Sequence, residues 1–410
     1  MKFALHWLDA LLPARVRPPS GVAPVDPLLL CCALALMLIG LVMITSASMD
    51  VAARDFGSPG HFILRHGLFV LMALVAASVA ILIPVRTWER YSFALLVFGL
   101  ILLALVLVPG IGREVNGSRR WIGLGPINLQ ASEIAKACMV IFISAYLVRR
   151  LDEVRSGWWG VVKPALPLAV YGVALLMEPD YGAMVVMVAT VAGMVFLGGM
   201  RLLQLTVVVL LALVVGGMLA LAQPYRIERL KSFSDPWADP FGAGYQLSQA
   251  QIAFGRGDWF GTGLGNSVQK LFYLPEAHTD FVYSVLAEEL GLVGALLIIV
   301  LYVLLVARIF IIGRQAEKQN RFYMAYLTYG FGFIIAGQAL INIGVNVGAL
   351  PTKGLTLPLL SYGGSSLLVC ATMIAIVLRV DYELKCERLK QPPLEMPWLR
   401  RLLRIEENAS

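Results

Sequence analysis

Residues 27–48 read PLLLCCALALMLIGLVMITSAS, a run without a single charged side chain. A helix needs about 20 apolar residues to cross a bilayer, so this run predicts a transmembrane helix. Similar runs recur at about 62–83, 91–109, 132–149, 160–177, 181–199, 202–222, 283–307, 325–348 and 357–379. The sequence therefore predicts an all-α polytopic membrane protein of about ten transmembrane helices.

The composition excludes a water-soluble fold. Hydrophobic residues make up 59% of the chain and charged residues only 14%, whereas soluble domains carry about 25% charged residues. Four of the five cysteines lie within predicted spans, so no external disulfide framework is expected. No spacing of Cys and His is typical of a zinc site.

The distribution of basic residues predicts the topology. Most of the 33 Lys and Arg residues fall in alternate loops and in both tails, which the positive-inside rule assigns to the cytoplasm. This predicts a cytoplasmic tail over 1–26, a transmembrane domain over 27–380 and a second cytoplasmic tail over 381–410. The segment before the first span is too long and irregular for a signal peptide, and we interpret the span as a retained signal anchor. The net charge of +7 thus reports topology and predicts no nucleic-acid partner.

Two long external loops are the predicted functional regions. They cover about 110–131 and 223–282, and long loops in compact folds are usually functional. Both carry basic residues on the side where such residues should be sparse, among them Arg119, Arg120, Arg226 and Arg229. The sequence therefore predicts an anionic ligand at this surface.

The second long loop contains a stretch, 244–254, that we expect to form a short helix at the membrane interface. Tyr245 and Gln246 lie at its start. A solvated linker is the alternative, but linkers rarely concentrate Trp, Tyr and Arg as this loop does.

The fourth predicted span carries an acidic and a basic residue. Glu133 and Lys136 lie three residues apart and therefore on one helix face. Charged residues within spans are functional candidates. Two interpretations stay open: an intramembrane ion pair that only orients helices, or a Lys136 that holds a phosphate near the membrane boundary.

The segment Leu274–Asp280 leads into the eighth predicted span and ends on a carboxylate. The free N–H groups and the dipole of a helix start stabilise a carboxylate there. Asp280 is thus a candidate helix cap and a candidate general base, and both roles require it to be ionised. Glu276 is the rival base, less tied to a rigid element.

The connection between the ninth and tenth predicted spans is rich in glycine and proline and includes Lys353 and Ser361. Irregular backbone at membrane depth occurs only against protein or a water-filled cavity. The sequence predicts either a polar cavity here or close helix packing through glycine.

Several strings of residues follow one another along the chain, namely Asn116–Ile122, Asp235–Trp237 with Gly244–Gln246, Pro275–Phe281, and Leu350–Pro358 leading to Ser361–Ser366. Together they resemble a known family, the SEDS proteins (shape, elongation, division and sporulation). The resemblance extends from the first span to Tyr382. The strings around 275–279 and 350–356 favour the division branch of the family over the elongation branch.

Two positions depart from the family's pattern. Ala131 replaces the usual proline before Ser132, and Glu178 replaces the usual glutamine before Pro179. These departures concern the start of the fourth helix and the 178–182 turn, and neither involves Asp280.

The resemblance implies a ten-helix peptidoglycan glycosyltransferase that polymerises lipid II into glycan strands. It implies that Asp280 is the essential aspartate and catalytic residue. The predicted substrate-binding residues combine those implied by the resemblance with the basic and polar residues of the loops. They are Lys136, Glu133, Arg119, Arg120, Trp121, Arg226, Arg229, Tyr245, Gln246, Glu276, Lys353 and Ser361. No cofactor is required by these motifs, although a divalent metal ion at the diphosphate is left open.

The resemblance also implies partners and a location. The expected partner is a class B penicillin-binding protein, the septal transpeptidase that crosslinks new strands, together with other division-complex proteins, lipid II and membrane lipids. The expected location is the bacterial inner membrane at the division septum, with the active site on the periplasmic side.

These expectations combine into a mechanistic hypothesis. Asp280 takes the proton from the acceptor sugar hydroxyl as it attacks the anomeric carbon of the donor, with inversion, and cations stabilise the departing diphosphate. A lipid II flippase or transporter is the alternative function, since it would use the same cavity without forming a bond. A scaffold that only recruits the transpeptidase is a third option, but it leaves the basic external loops unexplained.

Overall fold

The computed structural model is mainly helical and describes residues 25–115, 118–124, 127–221, 232–242, 244–352 and 354–389. In the first half of the chain the helices are α1 (Pro27–Phe56), α2 (His61–Leu82), α3 (Val85–Arg90), α4 (Ser92–Leu107), α5 (Ala131–Arg149), α6 (Leu151–Ser156) and α7 (Trp159–Met177). In the second half they are α8 (Tyr181–Leu197), α9 (Leu202–Leu221), α10 (Tyr245–Gly257), α11 (Val282–Lys318), α12 (Phe322–Asn346) and α13 (Gly364–Arg388).

Six of the described helices are long and apolar enough to cross a membrane, namely α1, α2, α5, α7, α11 and α12. Helices α4, α8 and α9 contain shorter apolar stretches. The predicted polytopic, helical membrane fold is confirmed, and the count of ten spans stays a prediction. Helix α13 corresponds to the predicted tenth span but begins at Gly364 rather than near 357, because Pro358 and Gly363 interrupt a helix there.

Helix α5 lies at the centre of the bundle, with 78% of its apolar stretch buried. Its start at Ala131 follows directly from a small antiparallel sheet of β1 (Gly112–Val115), β2 (Ser118–Leu124) and β3 (Ile127–Gln130), in the order β1-β2-β3. The sequence analysis expected only a long loop over 110–131, so the sheet is a new finding. It lies at the end of the bundle that the charge pattern assigns to the outside, here called the outer end.

Helix α11 is broken near its outer end, at Gly291. This residue has φ 69° and ψ −170°, a backbone conformation that is essentially confined to glycine. The carbonyls of Glu288 and Glu289 accept hydrogen bonds from the backbone of Thr262 (2.9 Å) and Gly263 (3.0 Å) instead of from their own helix. Loop backbone therefore satisfies the groups that the break exposes, as a non-aqueous environment requires.

Two buried glutamates beside this break hold the external loop. Glu288 accepts hydrogen bonds from the Ser267 hydroxyl (2.5 Å) and from the backbone N–H of Val268 (3.0 Å). Glu289 accepts from Lys270 Nζ at 2.9 Å and from Ser46 Oγ of α1 at 2.6 Å. The loop that leads to Asp280 is thus fastened to both α11 and α1.

At the opposite, inner end, buried charges are paired between helices. Asp26 caps α1 by accepting from Leu29 N at 2.9 Å and also accepts from Arg308 Nε of α11 at 3.0 Å. Glu383 of α13 accepts from Arg379 Nε at 2.6 Å and from Val85 N of α3 at 3.1 Å. These contacts hold the inner ends of the helices together, away from the candidate site.

Candidate active site

Asp280 lies at the outer end of the bundle, two residues before α11, and is partly exposed. Its neighbour His278 is held by aromatic rings, with centroid distances of 4.8 Å to Phe62 and 5.6 Å to Tyr362. The backbone N–H of Tyr362 donates to the His278 carbonyl at 3.0 Å. Asp280 therefore sits on a segment fastened to α2 and to the loop before α13.

Three distant parts of the chain meet at Asp280, Gly354 and Arg120. A Cβ atom built on Gly354 would lie 3.4 Å from Oδ2 of Asp280 and 3.8 Å from Nη1 of Arg120. Gly354 therefore lies between an acid and a cation, within van der Waals distance of both. The predicted base and one predicted phosphate ligand are thus brought together.

The side chain of Arg120, which extends from β2, is held by the backbone of the turn at residues 178–180. Its Nε donates to the carbonyl of Glu178 at 3.2 Å and its Nη2 to the carbonyl of Pro179 at 2.6 Å. Bonds from a charged donor are stronger than neutral ones, and the planar guanidinium makes both at once. The 178–180 turn therefore sets the position of the cation that lies across Gly354 from Asp280.

Arg119 and Trp121 flank Arg120 on β2, where the pairing of the strands is irregular. Trp121 pairs with Arg113 of β1 and Arg119 pairs with the next residue, Glu114, so the pairing skips Arg120 and the side chains do not alternate regularly across this position. Arg119 is exposed and forms an ion pair with Glu114 at 3.3 Å. Of the three motif residues, Arg120 is the one that lies beside Gly354 and Asp280.

Glu178 is fully buried, and neither carboxylate oxygen has a hydrogen-bond partner among the described residues. Burial, reinforced by the charge of Asp180, raises the pKa of Glu178 to about 8, although Arg120 opposes the shift. Glu178 is therefore mainly a neutral acid at pH 7. This accounts for a glutamate at a position where the family's usual residue is an uncharged glutamine.

Asp180, in contrast, is saturated with hydrogen bonds. Its Oδ2 accepts from Ser132 Oγ at 2.8 Å and from Gln130 Nε2 at 3.3 Å, while Oδ1 accepts from Ala183 N at 3.2 Å. These bonds cap α8 and join it to the sheet and to the start of α5.

Glu133 and Lys136 form a buried ion pair inside the bundle. Nζ of Lys136 lies 2.9 Å from Oε1 of Glu133, and the two side chains are 1% and 4% exposed. Nε2 of Gln338 on α12 donates to the same Glu133 oxygen at 3.3 Å. Of the two interpretations that the sequence left open, this burial favours the pair that orients helices, because a phosphate would have to displace Glu133 to reach the ammonium.

The other predicted site residues are dispersed. Tyr245 and Gln246 begin α10, which confirms the predicted short helix near 244–254 with bounds of Tyr245–Gly257. Ser361 is buried and accepts from Leu357 N at 2.9 Å, which makes it a turn residue in this structure. Glu276 is exposed, and its carboxylate accepts from Thr279 Oγ1 at 2.6 Å.

Arg226, Arg229 and Lys353 lie outside the described residues. Within the described ranges, no group of three or more His, Cys, Asp or Glu side chains is placed to hold a metal ion.

Neither Asn342 nor Asn346 is among the site residues predicted from the sequence. Both side chains reach the backbone of Asp280. Their spacing of four residues, which repeats that of Gln338 and Asn342, places polar groups along one face of α12. This stripe of polar residues is the sequence pattern from which the two asparagines could have been predicted.

Comparison with known proteins places this arrangement in a family. Residues 26–386 match the model of the family FTSW_RODA_SPOVE, described as cell cycle protein. A protein of Halomonas elongata named probable peptidoglycan glycosyltransferase FtsW is 55% identical over 370 residues, which cover 90% of this chain and 93% of the relative. The protein of the same name from Pseudomonas fluorescens is 55% identical over 371 residues, covering 90% and 91%.

Two solved structures have the same fold. A chain from a structure described as "Structural coordination of polymerization and crosslinking by a peptidoglycan synthase complex" superposes with a TM-score of 0.71 at 30% identity, covering 88% of this chain and 98% of that one. The rod shape determining protein RodA of Thermus thermophilus gives a TM-score of 0.65 at 28% identity, covering 88% and 98%.

Proposed function

Because this chain belongs to the FTSW_RODA_SPOVE family of cell cycle proteins, we propose that it is a peptidoglycan glycosyltransferase that polymerises lipid II during septal cell-wall synthesis. Relatives that are 55% identical over nine tenths of the chain carry the name peptidoglycan glycosyltransferase. The convergence of Asp280, Arg120 and Gly354 at one end of a membrane bundle is the observation that supports this chemistry most directly.

In the proposed reaction, the acceptor sugar hydroxyl attacks the anomeric carbon of the donor as the bond to diphosphate breaks. Asp280 takes the hydroxyl proton, and the polyprenyl diphosphate leaves with the bonding electron pair. The attack comes from the side opposite to the leaving group, so the anomeric configuration inverts. Diphosphate leaves as an anion and needs charge stabilisation more than a proton, so a second acid is not required.

Arg120 is the described cation best placed for the diphosphate, since it lies across Gly354 from Asp280. Preorganised cations stabilise developing negative charge without reorganising during the reaction. Arg119 is exposed and paired with Glu114, and neither Arg119 nor Trp121 lies beside Gly354, so both contribute to binding at most through the wider surface. Arg226, Arg229 and Lys353 remain proposed contacts for the same anion.

Asp280 is also the better base on structural grounds. It lies next to the start of α11, where the helix dipole favours a carboxylate. Glu276 is exposed and its carboxylate is engaged by Thr279. We further propose a class B penicillin-binding protein as partner, location at the division septum, and a periplasmic active site. The similarity to a chain of a peptidoglycan synthase complex supports the partner, and the charge pattern supports the side of the membrane.

The test is glycan-strand formation from labelled lipid II by the chain in complex with its transpeptidase partner. Asp280→Asn keeps the shape of the side chain but removes the base, and we expect a loss of about 10²–10⁴-fold. Glu276→Gln makes the same chemical change four residues earlier and should stay within about threefold of the native rate.

Equal loss in both variants, or full activity of Asp280→Asn, would refute the assignment of the base. Native complex that forms no polymer but moves lipid II across vesicle membranes would support the flippase instead. Partner binding and thermal unfolding of each variant show whether any loss comes from misfolding.

A further inference from the structure

Helix α12 presents a stripe of buried amide side chains towards Asp280. Gln338, Asn342 and Asn346 follow one another at intervals of four residues and therefore share a helix face. All three are buried, with exposures of 0%, 2% and 0%. Gln338 contacts Glu133, whereas the two asparagines contact the segment that carries the proposed base.

The asparagine amides converge on one atom, the backbone carbonyl oxygen of Asp280. Nδ2 of Asn342 donates to it at 2.9 Å, and Nδ2 of Asn346 donates to it at 2.9 Å. Asn342 Nδ2 also donates to the carbonyl of Leu355 at 2.6 Å. Because Leu355 follows Gly354, the same amide fixes Gly354 and the Asp280 backbone relative to each other.

Asn346 replaces a helical hydrogen bond. In a regular helix the carbonyl of residue 280 would accept from the N–H of residue 284. Here the N–H of Ser284 donates to the carbonyl of Phe281 at 3.0 Å and to Oδ1 of Asn346 at 3.1 Å, and the Ser284 hydroxyl donates to the same oxygen at 2.7 Å. The Asn346 amide thus takes the place of the direct hydrogen bond between residues 280 and 284. Asp280 therefore stays outside α11, with its backbone held in one orientation.

We infer that Asn342 and Asn346 are positioning residues that aim the Asp280 carboxylate at the acceptor hydroxyl. This inference rests on the proposed role of Asp280 as the base. The two donors hold the peptide unit that carries the carboxylate, and the contact with Leu355 fixes that unit relative to Gly354, on whose other side Arg120 lies. Neither asparagine contacts the reacting atoms, so each acts through Asp280.

The inference predicts a selective loss of turnover. A displacement of about 1 Å at a reacting group is enough to cost roughly 10²-fold in rate. We expect Asn342→Leu and Asn346→Leu to lower kcat by about 10–100-fold while KM for lipid II changes by less than about threefold. The acidic limb of the pH–rate profile, which reports the base, should shift in both variants, whereas a merely structural role would leave that limb in place.

Three further variants make the test specific. Asn342→Ser and Asn346→Ser keep a donor at shorter reach, so they should recover part of the lost turnover and they replace the leucine variants if those do not fold. Thr328→Val is the matched control, because it removes a buried hydrogen bond of the same helix, from Thr328 Oγ1 to Met324 O at 2.7 Å, far from the site. It should keep the native kcat and pH profile.

All assays use the complex of the full chain with its transpeptidase partner and labelled lipid II. Folded serine or leucine variants with native kcat, or a loss expressed only in KM, would overturn the inference. Full activity of Asp280→Asn would instead overturn the proposed base. An inactive Asp280→Asn alongside fully active asparagine variants would leave the proposed function intact and refute only the positioning role.

Discussion

Lys270 and Glu289 form a buried ion pair that ties the external loop to α11, with 2.9 Å between Nζ and Oε1 and side-chain exposures of 6% and 0%. Removing one partner of a buried pair leaves an uncompensated charge, which typically costs about 3–5 kcal/mol. We therefore expect Lys270→Met to lower the thermal unfolding temperature of the purified protein by several degrees. In the double variant Lys270→Met/Glu289→Gln, no charge is stranded and most of the loss should be recovered. A double variant less stable than Lys270→Met would contradict this view.

Arg119 and Arg120 provide a matched pair of neighbouring arginines with different surroundings. Arg120→Met removes two charge-assisted bonds, each worth about 1.5–3 kcal/mol, beside the proposed base. We expect it to slow lipid II polymerisation by about 10–100-fold. Arg119→Met breaks an exposed pair worth at most about 1 kcal/mol, and its rate should remain within about threefold of native. The measurement is the polymerisation rate of the complex with the transpeptidase partner. A larger loss in Arg119→Met than in Arg120→Met would contradict the assignment of Arg120 to the diphosphate.

Glu178 should make stability depend on pH in an unusual direction. Its pKa is raised by burial and by Asp180 to about 8 from an ordinary value of 4.5, so between these values the folded protein holds a proton that the unfolded chain has lost. Its contribution to stability is complete below about pH 4.5, falls by about 1.4 kcal/mol per pH unit as the pH rises, and is lost above pH 8. Glu178→Gln is neutral at every pH, so its advantage over the native protein should grow from pH 5 to pH 8 and then level off.

Glu153 is the control for that experiment. It pairs with Arg150 and Lys163 at the inner end, and the Lys163 contact, helped by Arg150, lowers its pKa. Its stabilising charge is present above the ordinary pKa of 4.5, so Glu153→Gln should lower stability over the same pH range rather than raise it. Thermal unfolding followed by intrinsic fluorescence at each pH separates the two, and parallel curves for both variants would exclude the neutral form of Glu178.

The break in α11 predicts a difference between two glycines with positive φ. A Cβ on Gly291 would lie 2.4 Å from the backbone nitrogen of Gly261 and 2.6 Å from that of Phe260, whereas a Cβ on Gly265 meets nothing within 4 Å. Gly265→Ala should cost only about 1–2 kcal/mol of backbone strain. Gly291→Ala must also push the loop away, so we expect little folded protein on size-exclusion chromatography. Equal yields of the two variants would show that the loop is not held at the break.

The positions of the helices could be predicted because the bilayer sets the length of every apolar run. The positions of the strands could not be predicted, since they are only four to seven residues long and the pairing of β1 with β2 is irregular at Arg120. Asp280 could be identified as a candidate from its place before a helix. The proximity of Asp280 to Arg120 and Gly354 could not be predicted, because these residues lie more than seventy positions from Asp280 along the chain. Only tertiary packing decides such a contact.

The broken helix α11 also has a consequence for how the chain is made. The loop groups that complete its hydrogen bonds, at residues 258–263, precede the break in sequence. During synthesis they emerge from the ribosome before residues 288–293, so their partners already exist when the short outer segment of this helix is inserted. A circular permutant that moved 258–263 behind α11 would insert a helix with open carbonyls into lipid, where each unpaired group costs several kcal/mol. The order of the segments along the chain is therefore part of what makes an interrupted membrane helix possible here.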